Sequence, residues 1–498
     1  MHASSYKQLE RRFARLGRLH DAQGILHWDR SVMMPTGGAQ GRAEQLATLE
    51  VICHELITDP EVGDLLDAAE GETLGDWERA NVREMRREWV HAAAVDATLI
   101  EALSHASSAC EMVWREARPK ADYAMVLPHL EEVLRLTIEA GKAKAARFGT
   151  SVYDALLDQF EPAGRSADID PVFDEYAAFL PGFLDDVLAR QAREPAVVRP
   201  RGPFPVERQR ELGLRMMQIL GFDFHHGRLD VSLHPFSGGA SGDRRITTRY
   251  NEADFTSSLM ATIHETGHSL YEQHLPAAWR HQPVGHSRGM TVHESQSLLL
   301  EMQASRSSEF LAFAAPVMRA AFGADAADVA WQPENLFRLY TRVSRSFIRT
   351  EADEVTYPAH VILRYRLERA LVAGDLALRD LPGAWNDALK ALLGIVAPDD
   401  RLGCLQDIHW YSGAIGYFPT YTLGAMAAAQ LFDAAGKDLP GLPATISRGE
   451  FKPLVDWVAE NVHAKASYLS TQDLLTAATG RPLDPAVFKA HLQARYLH

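Results

Sequence analysis

Two histidines and a glutamate, His264, Glu265 and His268, have the residue types and spacing for metal chemistry. They form the pattern His-Glu-x-x-His, and apolar residues at helical spacing lie on both sides of it. Histidines four positions apart share one face of a helix, so both imidazoles can bind a single metal ion. Glu265 then lies where its carboxylate can reach an attacking water. The segment is therefore typical of zinc peptidases.

The next histidine, His274, is a candidate third ligand. It lies six positions after His268, a spacing that some zinc sites use with an intervening glycine that reverses the chain. Tyr271 stands at the glycine position here, so the sequence predicts that the helix continues. At roughly 100° per residue, His274 then points about 120° away from His268 round the helix axis. We expect it to be a solvated or capping residue.

A glutamate is the other candidate for the third ligand. Residues 291–302 predict a second helix, and Glu294 lies in its first turn. Glu301, two turns later, is a rival on the same helix, and Glu272 is a rival on the first helix. Spacing alone slightly favours Glu294 and leaves the other two open.

Composition limits the classes of protein to which the chain can belong. Its 498 residues carry a formal net charge of -15, which argues against a general binder of nucleic acid or of anionic membranes. Three widely spaced cysteines cannot make a disulfide framework and indicate a reducing compartment, so we predict a cytoplasmic location. The sequence shows no secretory signal and no apolar run long enough to span a membrane.

Most of the chain has the apolar periodicity of helices. Helices are predicted at residues 6–16, 42–56, 76–104, 123–146, 169–190, 206–220, 328–345, 357–371, 384–393 and 451–462. The exception lies just before the His-Glu-x-x-His segment. Residues 229–234 and 245–250 are strand-like, and Gly238, Gly239 and Gly242 predict a turn between them. A strand edge beside a metal site could bind an extended peptide.

Further segments repeat the motifs of a known family, in the family's order and spacing. These are Leu-His-Trp-Asp-Arg at 26–30, Met-Pro-Thr-Gly-Gly at 34–38, Asp-Arg-Arg-Ile-Thr at 243–247, His-Glu-Ser-Gln at 293–296, Ile-Arg-Thr-Glu-Ala-Asp at 348–353 and Gly-Cys-Leu-Gln-Asp-Ile-His-Trp at 403–410. With them the chain resembles the carboxypeptidase Taq family of zinc metallocarboxypeptidases, from about residue 6 to the C-terminus.

The resemblance implies a mainly α fold of the neurolysin-like, zincin type. Residues 1–498 would form a single catalytic domain, with two helical halves flanking a deep groove and a short β-sheet beside the zinc helix. It also implies sequential removal of C-terminal residues from peptides that have a free C-terminus, with broad side-chain tolerance, usually by a homodimer. One Zn²⁺ per chain is expected, and Co²⁺ suits the same ligands.

The resemblance also assigns roles to residues. Glu294 becomes the third metal ligand, and Glu265 becomes the general base and then the acid. His409 and Tyr421 would donate hydrogen bonds to the oxyanion; alternatively, they are satisfied residues of the core.

Arg349 would bind the terminal carboxylate of the peptide through its guanidinium fork. The alternative is an ion pair with Glu351, Asp353 or Glu354. Asp243 and Arg245 would shape one end of the groove, unless they form a purely structural ion pair. Further candidates for the groove are His234, Gln406 and Asp407.

Two other functions remain to be weighed. A zinc oligopeptidase that cleaves internal bonds shares the three-ligand arrangement, but the motifs at 243–247 and 403–410 speak against it. A metal-dependent peptide-binding protein without turnover has no use for Glu265, because a carboxylate at that position is not needed to bind zinc.

Overall fold

The computed structural model describes residues 4–498, and the first three residues lie outside the described part. Helices make up 69% of the structure, so the predicted mainly α fold class is confirmed. None of the described helices combines the length and apolar character that a membrane crossing requires.

Within the described residues there are twenty α-helices. They are α1 (Ser5–Val32), α2 (Ala39–Thr58), α3 (Pro60–Glu70), α4 (Asp76–Ala93), α5 (Ala97–Lys120), α6 (Tyr123–Phe148), α7 (Val152–Leu157), α8 (Ser166–Gln191), α9 (Val206–Ile219), α10 (Phe255–Gln273), α11 (Met290–Leu298), α12 (Ser308–Phe322), α13 (Pro333–Tyr340), α14 (Tyr357–Ala373), α15 (Leu381–Leu393), α16 (Pro419–Asp438), α17 (Leu442–Ile446), α18 (Lys452–Asn461), α19 (Thr471–Thr479) and α20 (Pro485–Leu497).

The chain divides into two compact units. Unit 1 contains the described residues up to Ala92, together with Ala196–Tyr340 and Ala427–Leu483. Unit 2 contains Ala93–Pro195, Thr341–Met426 and Asp484–His498. The prediction of one catalytic domain over residues 1–498 stays a prediction.

Three of the predicted helices are wrong in extent, and one of them, predicted at 6–16, continues to Val32 as α1. The prediction for 76–104 ran through a break, because Asp96 begins a new helix there by accepting a hydrogen bond from the Leu99 amide at 2.9 Å. The prediction for 328–345 was too long at both ends. Pro333, which has no N–H to donate, begins α13, and the helix ends at Tyr340. The residues after Tyr340 are mostly non-helical and lead to Arg349.

A three-stranded sheet in unit 1 precedes α10. Its strands are β1 (Gly227–Val231), β2 (Phe236–Ala240) and β3 (Asp243–Thr248). β3 is central, with β1 parallel on one side and β2 antiparallel on the other. The sheet confirms the prediction of a short β element before the His-Glu-x-x-His helix.

The predicted glycine turn was partly wrong. Gly238 and Gly239 belong to β2, and only Gly242, with φ +81°, lies in the turn before β3. A glycine is required at position 24 of α1 for a packing reason. A Cβ on Gly24 of α1 would lie 2.1 Å from the Gly239 carbonyl oxygen, so the helix and the strand approach at backbone distance. Local sequence patterns do not report such a contact.

Candidate active site

Helix α10 presents His264 and His268 one turn apart, and α11 brings Glu294 to them. Close packing of the two helices depends on Gly267 between the histidines. A Cβ there would lie 2.5 Å from the Gln296 carbonyl oxygen and 2.6 Å from Ser297 Cα, which no real side chain tolerates. The glycine inside the motif therefore sets the distance at which α11 can offer its carboxylate.

The three side chains have the geometry of a metal site. Glu294 Oε2 lies 3.9 Å from His264 Nε2 and 3.4 Å from His268 Nε2. Ligands with bonds of about 2.0–2.1 Å in a tetrahedral site are separated by about 3.4 Å. Among the described residues, His264, His268 and Glu294 form a group of potential ligand atoms within 4.8 Å of one another. The donor set therefore fits a tetrahedral cation.

His274 takes no part in this group. Helix α10 continues through the buried Tyr271, as predicted, and His274 is its C-terminal cap. Its Nδ1 lies 3.1 Å from His463 Nδ1.

Both histidines have their other ring nitrogen fixed. His264 Nδ1 donates to Glu301 Oε2 at 3.0 Å, and His268 Nδ1 donates to the His293 carbonyl oxygen at 3.0 Å. These bonds leave the Nε2 atoms for a metal. Glu301, a rival ligand in the sequence, is therefore a partner of His264. It lies in a π-helix, Leu299–Ala304, that follows α11.

Negative charge surrounds the metal group. Burial disfavours a charge on His264, but Glu301, Glu294 and Glu265 outweigh it and raise its pKa to about 10. Burial lowers the pKa of His268 to about 4. The centre therefore attracts a cation.

Glu265 is buried and makes no hydrogen bond to any of the described residues. Burial raises its pKa to about 7; His264 opposes the shift and Glu294 adds to it. The carboxylate is thus close to the metal group and unoccupied by a protein partner, as a general base must be.

We expect the Glu301→Gln variant to bind Zn²⁺ roughly 10- to 100-fold more weakly, because His264 loses its charged acceptor. Competition with a coloured chelator measures this affinity.

The matched control is Glu334→Gln, which changes an exposed glutamate in the first turn of α13. It should leave the affinity unchanged. Equal affinities for wild type and Glu301→Gln would show that this hydrogen bond does not orient the ligand.

Unit 2 contains a buried cluster of two arginines round one aspartate. Arg349 donates to Asp407 Oδ1 from Nη2 at 2.9 Å and from Nε at 3.1 Å. Arg364 donates to the other oxygen from Nε at 2.7 Å. Burial disfavours ionisation of Asp407, but Arg364 and Arg349 outweigh it and hold its pKa well below the usual range.

Glu368 is the next acid in this region. It accepts hydrogen bonds from Trp410 Nε1 and the Tyr153 hydroxyl, both at 2.8 Å. Burial nevertheless raises its pKa to about 7, although these hydrogen bonds oppose the shift. Asp407 is thus the single carboxylate that pairs with both guanidinium groups of the cluster.

The alternative partners that the sequence offered for Arg349 are wrong. Asp353 accepts from the backbone amides of Ser344, Val355 and Thr356, and Glu354 pairs with Arg495. The actual partner, Asp407, is 58 positions away along the chain. Gln406 adds a further contact, because its Oε1 accepts from the Arg349 amide at 2.9 Å.

His409 and Tyr421 are neighbours in unit 2, with 3.3 Å between His409 Nε2 and the Tyr421 hydroxyl. Burial lowers the pKa of His409 to about 4, although Asp407 opposes the shift, so the imidazole is neutral at pH 7. The Tyr421 ring also lies beneath the Arg349 guanidinium, 4.8 Å from ring centroid to Cζ. The predicted oxyanion donors and the predicted carboxylate binder therefore share one cluster.

Asp243, Arg245 and His234 lie in and beside the sheet of unit 1. Asp243 and Arg245 form a two-bonded ion pair, with Arg245 stacked over the Trp28 ring at 4.5 Å. The His234 side chain is exposed on the connection between β1 and β2 and makes no hydrogen bond, ion pair or ring contact with a described residue.

The sequence prediction missed Arg364. Arg364 lies inside the apolar run Val361-Ile-Leu-Arg364-Tyr365, which indicates a buried position. Because arginine is seldom buried without a partner, this position could have indicated a buried ion pair.

Comparison with known proteins agrees with this geometry. A sequence model of the carboxypeptidase Taq (M32) metallopeptidases matches residues 8–496. The chain is 39% identical to thermostable carboxypeptidase 1 of Thermus thermophilus over 94% of both chains. Trypanosoma cruzi metallocarboxypeptidase 1 superposes with a TM-score of 0.97 at 40% identity, covering 99% of each chain. The M32 carboxypeptidase of Deinococcus radiodurans superposes with a TM-score of 0.92 at 36% identity, covering 99% of this chain and 98% of that chain.

Proposed function

Because the chain belongs to the carboxypeptidase Taq (M32) metallopeptidase family, we propose that it removes C-terminal residues one after another from peptides, with broad side-chain tolerance. It is a metallocarboxypeptidase that acts on peptides. The observation that carries the proposal is the group His264, His268 and Glu294 with the unpartnered carboxylate of Glu265 beside it.

We propose Zn²⁺ as the metal, because two imidazoles and one carboxylate are a typical catalytic zinc set. When bound, zinc supplies a Lewis acid that activates water and polarises the scissile carbonyl. Glu265 takes the proton of the attacking water and passes it to the leaving amine. Co²⁺ suits the same ligands, so metal analysis of the purified protein, followed by reconstitution with each ion, tests this choice.

For residues of unit 2 we propose the roles that the family resemblance assigns. Arg349 binds the terminal carboxylate, and His409 and Tyr421 donate hydrogen bonds to the developing oxyanion. Asp407 orients Arg349, and Gln406 fixes the Arg349 backbone. We keep His234, Asp243 and Arg245 as proposed substrate contacts at the sheet, on the basis of their motif positions.

We also propose that the enzyme is a cytoplasmic homodimer. The location rests on the three cysteines, all of which are free and buried in the structure. The dimer rests on the family resemblance. Light scattering of the purified protein measures the oligomeric state.

One experiment tests activity and direction together. A free-acid peptide and its C-terminally amidated twin are digested in parallel and followed by mass spectrometry. We expect a ladder that shortens from the C-terminus for the free acid and little cleavage of the amide. A single internal cut in both peptides would instead indicate an oligopeptidase.

A further inference from the structure

A cavity in unit 1 has walls that the proposed reaction does not use. Its volume is about 420 Å³, and it lies between the end of α10, the segment that follows this helix and the turn at Gly242. Cavities of this size hold small molecules.

Two guanidinium groups line this cavity, and neither has all its donors engaged. Arg244 Nη2 lies 2.7 Å from Glu272 Oε2, but Arg244 Nε is buried without a hydrogen-bond partner among the described residues. The Arg280 guanidinium makes no hydrogen bond or ion pair with any residue in the described part of the chain. The other acid of the wall, Asp223, already binds His226 Nδ1 at 2.6 Å. Both acids of the wall thus have partners already, whereas the Arg280 guanidinium and Arg244 Nε keep donors for a ligand.

The segment that carries Arg280 is held in a strained conformation. The next residue, His281, has φ +64°, in the region that favours glycine. His281 Nε2 bonds to Asp21 Oδ2 at 2.8 Å, and its Cβ would lie 2.8 Å from a Cβ on Gly17. Strain of this kind persists where the surrounding structure fixes it, often at ligand sites. In this conformation of the segment, the Arg280 guanidinium lies beside Gly242. Gly242 is two positions before Arg244 in the chain.

The cavity wall is also connected to a metal ligand. Glu272, the partner of Arg244, accepts a hydrogen bond from His293 Nε2 at 3.1 Å. The His293 ring stacks on His268 with 4.5 Å between centroids, and its carbonyl oxygen accepts from His268 Nδ1. A ligand that draws Arg244 away from Glu272 therefore changes the support of His268.

We propose that this cavity binds a small oxyanion between Arg280 and Arg244, and that binding changes the peptidase rate through Glu272 and His293. The binding site stands on the cavity and its unused donors; the change in rate rests on the proposed function.

Isothermal titration of the full-length protein with inorganic phosphate, and separately with succinate, tests the site and distinguishes phosphate from carboxylate ligands. We expect saturable binding of at least one anion, weakened at least about tenfold in Arg280→Ala. The control Arg201→Ala, which changes an exposed arginine before α9, should bind as wild type does. No saturable binding of either anion would overturn the proposal, as would equal affinity in Arg280→Ala, because the anion would then be bound elsewhere.

The peptidase rate tests the connection separately. With the anion near its dissociation constant, we expect the wild-type rate to change at least twofold. Arg280→Ala should show no change relative to its own rate without anion. An unchanged wild-type rate with the anion bound would overturn the coupling. Titration needs no turnover, so a failure of the anion site is distinguishable from a failure of the peptidase assignment.

Discussion

The Glu265→Gln variant is expected to bind zinc as wild type does and to lose roughly 10²- to 10⁴-fold in turnover. The amide has the size of the carboxylate but cannot accept a proton. Glu265 belongs neither to the ligand group nor to any hydrogen bond with a described residue, so the substitution leaves the metal ligands in place. Metal analysis measures the bound zinc, and steady-state hydrolysis of one free-acid peptide measures the turnover rate. Both measurements are made on the same samples of variant and wild type.

The pH profile provides a second readout for the same residue. Burial raises the pKa of Glu265 to about 7, and a divalent cation at the centre favours its ionised form. Wild-type activity should therefore fall as the pH decreases through a value below about 7, because the protonated carboxyl cannot act as a base. Residual activity of the variant should lack this acid limb. Near-normal turnover with zinc bound would remove Glu265 from the mechanism.

The histidine pair of the metal group could be predicted because its geometry is local. Helix periodicity places His264 and His268 on one face, and Tyr271 correctly predicted that the helix continues past the motif. The choice among Glu294, Glu301 and Glu272 depended on how α11 packs on α10, which spacing cannot give. Gly267 permits that packing, and the π-helix after α11 holds Glu301 as the partner of His264.

The arginine cluster shows the limit of sequence reasoning. No local rule joins Arg349 to Asp407, because 58 positions separate them and the nearer acids were equally plausible partners. Arg364 belonged to no recognised motif, although its guanidinium is the second positive charge paired with the single negative charge of Asp407. Only the tertiary structure shows that one carboxylate serves two guanidinium groups.

That charge imbalance leads to the second large effect, in Arg349→Ala. We expect kcat/KM for a free-acid peptide to fall roughly 10²- to 10³-fold, which corresponds to a loss of about 3–4 kcal/mol of transition-state stabilisation. The Nε and Nη2 donors of Arg349 bind Asp407, whereas Nη1 has only a long 3.4 Å contact with the Tyr357 hydroxyl. If Arg349 binds the terminal carboxylate of the peptide, as the family resemblance implies, the carboxylate therefore contacts the Nη1 side of the guanidinium. The amidated twin has no carboxylate and should lose far less.

Folding should tolerate this substitution, which makes the kinetic result interpretable. Asp407 keeps its ion pair with Arg364, so Arg349→Ala leaves one positive and one negative charge instead of an unpaired acid. Arg345→Ala, which breaks an ion pair of unit 2 with Asp185, is the matched control and should leave both substrates unaffected. Arg349→Lys should recover only part of the activity, since an ammonium keeps the charge without the planar donors. Equal losses on the free acid and the amide would show that Arg349 supports the cluster without recognising the chain end.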